Sequence, residues 1–436
     1  MSLQFAFAIE YSNPALDREI ELSSGPLKTQ LDEIRTRCKG ITGLSVVDTQ
    51  YDHQNQSSKK FKYYFQHVIN ENSLPTIVYI NGGPGGSGMG WNDEDSKNFN
   101  WIHLDPRGLE CNFGTEIDFP KDIMTTSQHA HDILEVIKSL KLTNYIVHGH
   151  SYGTVVATHI GNSIWKNQFG FRPNAILLEG TLGIHLKDIN EYSRNYIDIA
   201  NLFFDRFPNQ KSLFSSSDPL DYGKYFWGSY FFIVGHAWKE TLKELGQLQA
   251  YLSGEIPNPP EEIVQAKQSF DENPPTYEMI PEGYEKYLVT EIMCQELSPT
   301  LGDIIKPKLD TGVATYDILK YGTACANIPF VHPYDSAQLQ TDIPLVYING
   351  TVDPATPFHT AKYHYDNQKL APKTFVTQID GGHGPTYEMA PCLDQVYNQV
   401  LTGKPDFSDI LNTDGYCRYV PKNFERKARK PRTTIF

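Results

Sequence analysis

The sequence lacks several features that would place the protein in a membrane or on nucleic acid. No stretch reaches the roughly 20 apolar residues that a membrane-spanning helix needs. The longest apolar run, 225–234, is about half that length and is interrupted by Gly228. The opening residues carry no basic segment of the kind that begins a signal peptide. Acidic residues also outnumber basic ones, and the net charge of −14 disfavours nucleic acid or an anionic membrane as a partner.

Signatures of metal or cofactor binding are missing as well. His129 and His131 are two residues apart, a spacing that does not bring them to one face of a helix. The glycine-rich segment 81–88 does not lead into the Gly-Lys-Ser/Thr ending of a phosphate-binding loop, and its Pro84 has no N–H to donate. We therefore expect no metal and no cofactor.

Cysteine is scarce, with six residues in 436. An even number permits up to three disulfides but requires none, and six buried thiols are the alternative. The six are Cys38, Cys111, Cys294, Cys325, Cys392 and Cys417.

From about residue 60 onward, short β-rich runs alternate with helical stretches, the pattern of a mostly parallel sheet with helices on both faces. With 39% hydrophobic residues the chain can build a large core. The predicted strands are 61–69, 76–80, 101–104, 145–147, 175–178, 344–348 and 374–379, and the clearest helices are 127–140 and 155–160.

The alternation stops between two of these strands, over 181–335. That stretch is helical in character, rich in aromatic residues and interrupted by prolines. We expect it to be a mainly helical cap, inserted into a discontinuous catalytic domain formed by 1–180 and 336–436.

Gly149-His150-Ser151-Tyr152-Gly153 lies between a predicted strand and a predicted helix. A serine in such a tight turn has its hydroxyl pushed out above the sheet, and the flanking glycines avoid clashes with neighbouring elements. The pattern alone is weak, but here it stands in the required context. We predict that Ser151 is a nucleophile.

The glycine-rich segment 81–88 directly follows the strand 76–80 and can bring backbone N–H groups close to a ligand. In a fold with a nucleophilic serine of this kind, that loop supplies one oxyanion donor and the residue after the nucleophile supplies the other. We assign these roles to Gly83 and Tyr152.

Asp353 and His383 follow the last two predicted strands, in the chain order serine, acid, base. Parallel sheets gather functional groups at the carboxyl ends of their strands, so both residues can converge on Ser151. Asp380 is a rival acid, although it is close to His383 in the chain. His359 and His150 are rival bases.

These motifs together, NGGPGGSG, DPRG, GHSYG, GTVDPATP and GGHG, resemble peptidase family S33, the prolyl aminopeptidase and tripeptidyl aminopeptidase group. The GGPG loop is the most telling, because esterases and lipases of this type more often carry HG or HGGG there. The similarity covers roughly 60–180 and 335–417. One departure is Asn81, where many members have histidine; it leaves backbone donation by Gly83 intact. The resemblance implies the α/β-hydrolase fold and a Ser-His-Asp triad.

The resemblance also implies disulfides. The segment from Cys392 to Cys417 is similar to the C-terminal pattern of tripeptidyl aminopeptidases, in which the two cysteines pair, and Cys294 with Cys325 would be a second pair. Cys38 and Cys111 are then the two remaining cysteines, and only their number suggests that they pair. Disulfides imply an oxidising compartment, which favours a periplasmic or secreted protein over a cytoplasmic one.

A member of this group removes N-terminal residues, with proline or a small apolar residue favoured at the cleavage site, and must recognise a free ammonium group. Partly desolvated carboxylates serve that purpose, and the candidates are Glu179, Glu291 and Glu296. A cluster of cap aromatics could form an apolar wall for a proline ring, or simply a cap core: Tyr225, Phe226, Trp227, Tyr230, Phe231, Phe232 and Trp238.

Two other functions stay open. The same triad could serve an esterase or amidase acting on a small non-peptide acyl compound, because fold does not decide substrate. A non-catalytic binding protein is the third possibility, against which the intact triad argues. A dehalogenase or epoxide hydrolase is disfavoured, since those relatives carry an aspartate where Ser151 stands. The sequence leaves the oligomeric state undecided.

Overall fold

The protein was analysed as a computed structural model. The structure describes residues 41–89, 97–112, 123–183, 198–199, 201–209, 238–258, 292–297, and 333–421 without 354, together with single positions between 22 and 38.

One eight-stranded sheet forms the centre of the molecule, in the order β1-β2-β4-β3-β5-β6-β7-β8. β1 and β2 are antiparallel to each other, and β2 is antiparallel to β4, whereas every other neighbouring pair is parallel. The strands are Leu44–Gln50, Lys60–Val68, Thr76–Ile80, Asn100–Leu104, Tyr145–His150, Ala175–Glu179, Leu345–Gly350 and Lys373–Gln378. This is the α/β-hydrolase fold, as the sequence predicted.

Among the described residues, the α-helices with defined ends are α1 Thr126–Leu140, α2 Tyr152–Asn167, α3 Trp238–Leu252, α4 Phe358–Asn367, α5 Pro385–Glu388 and α6 Leu393–Leu401. Two 3₁₀ turns, Glu110–Asn112 and Ala390–Cys392, and a π-helix, Met293–Leu297, complete the assigned elements.

The two faces of the sheet build two separate cores, because successive side chains of a strand point to opposite sides. Val78 and Val147 face α1 and α2 in one core, whereas Ile77 and Ile146 face α6 in the other. The central strands β3, β5, β6 and β7 are buried on both faces. The sheet is therefore held from both sides, and its strand ends form a rigid platform for the site.

Every predicted strand and both predicted helices are present; the strand 76–80 has the predicted ends, and the others differ at one or both ends. β5 runs on to His150 and α2 spans Tyr152–Asn167, so the polar motif residues belong to regular elements. The edge strand β1 was not predicted, because Leu44–Gln50 is mostly half-exposed and lacks the apolar pattern of an inner strand.

The predicted cap enters between β6 and β7, which pair directly in parallel although the whole insertion separates them in the chain. Most of its described residues are helical: most of 198–206, α3 and the π-helix Met293–Leu297; 181–183, 253–258 and 333–335 are described as turns, bends or irregular backbone. The cap boundaries at 181 and 335 stay a prediction. No helix in the described part of the chain is both long and apolar enough to span a membrane.

Two disulfides join parts of the structure. Cys392 bonds to Cys417, which confirms the predicted C-terminal pair. Cys38 bonds to Cys111, the pair for which the sequence offered only arithmetic. The predicted pair of Cys294 and Cys325 stays a prediction, because Cys325 lies outside the described residues.

Candidate active site

Ser151 occupies a strained turn between β5 and α2. Its φ of 56° lies in the left-handed region that residues with a side chain rarely adopt. A Cβ on Gly149 would lie 2.3 Å from the Gly153 carbonyl oxygen, and one on Gly153 would lie 2.2 Å from the Ile80 carbonyl oxygen. Both glycines are therefore required for packing, as the motif predicted. The Ser151 N–H donates to the Glu179 carbonyl at 2.9 Å, which ties the turn to the end of β6.

The glycine-rich loop after β3 lies directly against this serine. A Cβ on Gly82 would come within 2.7 Å of the Ser151 Cβ and 3.1 Å of its Oγ. Only a bare backbone fits so close to the hydroxyl, which places the following residue, Gly83, at the edge of the serine turn. Tyr152, the other predicted oxyanion donor, is the first residue of α2, where N–H groups point away from the helix.

Buried Asp105 fastens the far end of that loop. Its carboxylate accepts from the N–H groups of Gly88 at 2.6 Å and Met89 at 3.2 Å, and from the Ser87 hydroxyl at 3.1 Å. The Asn81 side chain also donates to the Ser87 carbonyl at 2.9 Å. Sequence reasoning gave Asp105 no role, although it begins the DPRG motif.

Asp353 and His383 meet above the carboxyl ends of β7 and β8. His383 Nδ1 lies 3.1 Å from Asp353 Oδ1 and 3.0 Å from Oδ2. The carboxylate also accepts from the N–H groups of Ala355 at 2.9 Å and Thr356 at 2.8 Å, and from the Thr356 hydroxyl at 2.6 Å. These donors hold the Asp353 carboxylate in one orientation. They thereby also fix the position in which the His383 ring can donate to it.

His383 lies beside the serine turn. The residue before Ser151, His150, donates from Nε2 to the His383 carbonyl at 3.1 Å, and the two imidazole rings are 4.8 Å apart. On the other side, a Cβ on Gly180 would be 3.2 Å from His383 Nδ1, and the residue before Gly180 accepts the Ser151 N–H. The structure thus brings the three predicted triad members to one edge of the sheet.

The charge of Asp353 sets the basicity of His383. Burial alone would lower the pKa of this imidazole, but the charge and hydrogen bond of Asp353, with the more distant charge of Glu179, raise it above the ordinary value. For His150, burial and the neighbouring His383 outweigh the attraction of Glu179 and lower the pKa to about 4. His150 is therefore neutral at pH 7 and acts as a hydrogen-bond donor to the His383 backbone.

Glu179, a predicted amine-binding residue, has both carboxylate oxygens engaged. Oε2 accepts from His148 Nε2 at 2.9 Å, and Oε1 accepts from the N–H of Thr386 at 2.8 Å and from its hydroxyl at 2.6 Å. Burial would raise the pKa of this carboxyl, but the bonds to His148 and Thr386 and the charges of His148 and His150 lower it to about 2. The Glu179 carboxylate therefore remains negatively charged near pH 7, close enough to His383 to affect its pKa.

Glu296, another predicted amine-binding residue, reaches from the cap to the catalytic domain. Its Oε1 accepts from the Thr126 N–H at 2.8 Å, at the beginning of α1. The Thr126 hydroxyl is 2.7 Å from the hydroxyl of Tyr152, the residue next to the serine. Burial raises the pKa of Glu296 to about 7, against the lowering effect of the bonds from Thr126.

The third predicted amine-binding residue, Glu291, lies outside the described residues, and so do the cap aromatics from Tyr225 to Phe232. Trp238 is described: it is buried and makes edge contacts with Phe203 and Phe207, with ring centroids 5.7 and 6.0 Å apart.

The rival groups take other positions. Asp380 pairs with Arg206 of the cap at 2.6 Å rather than with His383. His359 lies in the first turn of α4. Within the described ranges, no group of His, Cys, Asp and Glu side chains is arranged to hold a metal ion.

Thr356 is the functional candidate that sequence reasoning missed. Besides donating to Asp353, its hydroxyl oxygen lies 3.1 Å from His383 Nδ1, so it touches both acid and base. The signal was present, since Thr356 lies within the GTVDPATP motif.

Comparisons with known proteins place part of this chain near a described family. A family model described as TAP-like protein matches residues 314–411, the segment that contains Asp353 and His383. No curated protein sequence matches the chain.

Solved structures with similar architecture include three from bacteria. The protein Rv0554 from Mycobacterium tuberculosis is 13% identical, covering 83% of this chain and 100% of its own, with a TM-score of 0.44. A proline iminopeptidase from Mycobacterium smegmatis is 12% identical over 82% of this chain and 95% of its own, with a TM-score of 0.40. A lipase from Acinetobacter baumannii is 14% identical over 91% and 98%, also at 0.40. At these TM-scores the likenesses carry no argument about activity.

Proposed function

We propose that this protein is a serine hydrolase in which Ser151 is the nucleophile, His383 the general base and Asp353 the acid that orients it. The observation that carries the proposal is the hydrogen bond of His383 Nδ1 to Asp353, at 3.0 Å, on a histidine that lies beside a strained serine turn. Nδ1 is committed to the carboxylate, so Nε2 is the nitrogen left to accept a proton.

The reaction follows from these roles. His383 removes the proton from the Ser151 hydroxyl as its oxygen attacks a substrate carbonyl, and Asp353 stabilises the imidazolium that forms. His383 then passes the proton to the leaving group, and an acyl-enzyme remains on Ser151. Water, deprotonated by the same imidazole, attacks the acyl-enzyme and releases the acid.

The negative oxygen of each tetrahedral intermediate needs hydrogen-bond donors. We assign this role to the backbone N–H groups of Gly83 and Tyr152, one from the glycine-rich loop and one from the beginning of α2. Loss of a single such donor typically raises the barrier by about 3 kcal/mol. Asp105 holds the end of the loop through Ser87 and Gly88 and the following Met89, which supports a loop that is ordered before substrate arrives.

The substrate class we propose is a peptide with a free amino terminus, from which proline or a small apolar residue is removed. Two findings support it: the match of residues 314–411 to the TAP-like model and the GGPG loop, which resembles that of the S33 aminopeptidases. Neither relies on the structural neighbours.

Within this proposal, Glu296 is the carboxylate that receives the substrate ammonium. Glu179 has its carboxylate oxygens occupied by His148 and Thr386, whereas the described bonds to the carboxyl group of Glu296 come from Thr126. With a pKa of about 7, the carboxyl of Glu296 is only partly ionised near pH 7, and an arriving ammonium favours its charged form.

The test uses a fluorophosphonate probe and a panel of arylamides. Labelling should be stoichiometric in the wild type and absent in Ser151→Ala. Proline or alanine arylamide should be cleaved faster with a free amine than when acetylated. Faster cleavage of the acetylated compound would reject the aminopeptidase assignment and leave the esterase or amidase alternative. Failure of the probe to label Ser151 would reject the hydrolase itself.

We also propose that the protein matures in an oxidising compartment, as a periplasmic or secreted protein. The disulfides Cys38–Cys111 and Cys392–Cys417 support this, because cytosolic thiols are kept reduced. Alkylation of free thiols in rapidly quenched cells should leave all four cysteines unlabelled; quantitative labelling of them would contradict the proposal.

A further inference from the structure

Asp380 is the residue at which the cap contacts the turn that leads to His383. It lies three residues before His383 in the chain. Its carboxylate accepts a hydrogen bond from Arg206 Nη1 at 2.6 Å, and its carbonyl accepts one from the Trp238 N–H at 3.2 Å. Arg206 and Trp238 come from two separate cap segments. The cap therefore holds both the side chain and the backbone of Asp380.

These two cap segments are packed on each other. The Arg206 guanidinium lies 5.3 Å from the centroid of the Trp238 ring and 5.6 Å from that of Phe207. Contact with aromatic faces restricts an arginine side chain, so its planar fork is oriented before it meets a carboxylate. Arg206 and Trp238 thus approach Asp380 as one unit.

On its other side, the Asp380 turn is bonded to the loop that carries the catalytic acid. The Asp380 N–H donates to the Thr351 hydroxyl at 2.9 Å, and the Val352 N–H donates to the Gly381 carbonyl at 3.0 Å. Asp353 is the next residue after Val352. The φ of Asp380, 57°, is left-handed, a conformation that aspartate and asparagine adopt more readily than most residues. One residue therefore touches the cap, the acid loop and the base loop.

The surroundings of this turn are acidic. Burial, followed by the charges of Glu388, Asp380 and Asp414, raises the pKa of the nearby Tyr416 hydroxyl. The cap supplies a cation, Arg206, to this group of negative charges. The contact between cap and turn is thus complementary in charge as well as in hydrogen bonding.

We propose that Asp380 is a positioning residue that couples the docking of the cap to the placement of His383. With Arg206 and Trp238 in contact, the turn is held against the Asp353 loop and the imidazole stays beside Ser151. Without the contacts of Arg206 and Trp238, the turn would be restrained from the Asp353 loop only. The inference rests on the proposed serine hydrolase function.

The exposure of the pair decides which measurement should reveal it. The side chains of Arg206 and Asp380 are 52% and 32% exposed, so the ion pair contributes little to stability and is screened by salt. Misplacement of a catalytic group, by contrast, can cost up to about a hundredfold in rate. The effect of breaking the pair should therefore appear in turnover and not in the melting temperature.

The experiment compares Arg206→Met, Asp380→Asn and the double variant in the full chain. Turnover of p-nitrophenyl acetate is measured per active site, counted by fluorophosphonate labelling. Each single variant should lose about tenfold in kcat with little change in KM, the double variant should lose no more, and Arg206→Lys should recover part. High salt should lower kcat of the wild type but not of Arg206→Met.

Arg172→Met is the matched control. Arg172 forms a similarly exposed pair with Asp342, at 41% and 46% exposure, but at the amino ends of the strands, away from the site. Its kcat should equal that of the wild type at every salt concentration.

Three results would overturn the coupling: a raised KM at constant kcat, additive losses in the double variant, or a lowered melting temperature with unchanged kcat per labelled site. The first would make the contact part of substrate binding, and the last would make it purely structural. If Ser151→Ala retains turnover or the wild type is not labelled, the hydrolase function itself fails. If those two checks pass and Arg206→Met matches the wild type, only the coupling is wrong.

Discussion

Glu179 and Glu296 are buried to the same extent, each 3% exposed. The pKa values of their carboxyl groups are nevertheless shifted in opposite directions. Glu179, at the end of a central strand, has its pKa lowered to about 2. Glu296, in the cap, has its pKa raised to about 7. Burial favours the neutral form in both cases, so burial does not explain the difference.

The partners explain it. Glu179 receives hydrogen bonds from His148 and from both donors of Thr386, and two histidines lie within range of its charge. The carboxyl group of Glu296 receives its described bonds from Thr126. A fully bonded carboxylate remains charged in the interior, whereas a sparsely bonded one remains available for a proton or an ammonium. The carboxyl group of Glu179, at the end of β6, therefore stays charged near pH 7, whereas that of Glu296, in the insertion between β6 and β7, changes its charge there.

The largest expected effect is on stability, from Glu179→Gln. An amide cannot accept from His148 and Thr386 as a carboxylate does, and donors of the buried network are left unpaired. We expect a loss of about 3 kcal/mol in the free energy of unfolding, measured by urea denaturation. Glu135→Gln, on the exposed face of α1, is the control and should change stability little. A loss as small as the control would mean that Glu179 is not held by this network.

The next effect is on substrate recognition, from Glu296→Gln. Removing the charge should reduce kcat/KM for free-amine arylamides by about thirtyfold, equivalent to about 2 kcal/mol for a charged hydrogen bond. Acetylated arylamides and esters should be unaffected, and the exposed cap variant Glu255→Gln should behave as wild type. An equal loss on all substrates would contradict the amine-binding role.

The two carboxylates should also separate in pH profiles. His383 must be neutral to act, and its pKa is raised, so kcat/KM for an ester should fall as pH decreases through a value above 6.5. Glu179→Gln removes a charge that raises the pKa of His383, so the pH at which kcat/KM for the ester falls should be lower in this variant. Free-amine substrates should show an additional limb near pH 7, where Glu296 ionises, and Glu296→Gln should abolish it. Identical profiles for esters and amines would contradict the distinction.

The smallest expected effect is from Thr126→Val. The valine keeps the N–H that Glu296 uses but removes the hydroxyl that lies 2.7 Å from the Tyr152 hydroxyl. The free energy of unfolding should fall by about 1 kcal/mol. Because the bonds from Thr126 lower the pKa of Glu296, the amine-specific limb should move to higher pH. An unchanged limb would show that the hydroxyl does not act on Glu296.

The contributions of Glu179 and Glu296 to the free energy of unfolding should also change with pH in opposite directions. The folded pKa of Glu179 is below the ordinary 4.5, so its contribution is present above pH 4.5 and is lost as pH falls towards 2. The folded pKa of Glu296 is above 4.5, so its contribution is present below pH 4.5 and is lost as pH rises towards 7.

Much of the fold could be predicted from local sequence patterns. The features that could not be predicted share one cause. The inner strands were predictable because burial on both faces demands a continuous apolar run, as in Val78 and its neighbours. β1 was not predictable, because an edge strand paired on one side needs no such run. The pairing of Cys38 with Cys111 belongs to the same class: nothing near either residue in the chain indicates its partner.

The serine turn could be predicted from the sequence alone, because a side chain at Gly149 or Gly153 would clash within a few ångströms of Ser151, and such local steric demands appear in the local sequence. It also indicated where an acid and a base would follow their strands. The hydrogen-bond partners of each carboxyl group, by contrast, became known only from the fold. Asp353, Glu179, Glu296 and Asp380 are chemically alike in a sequence; they differ in the donors that the fold brings from distant segments, and charge in a protein interior is set by those donors.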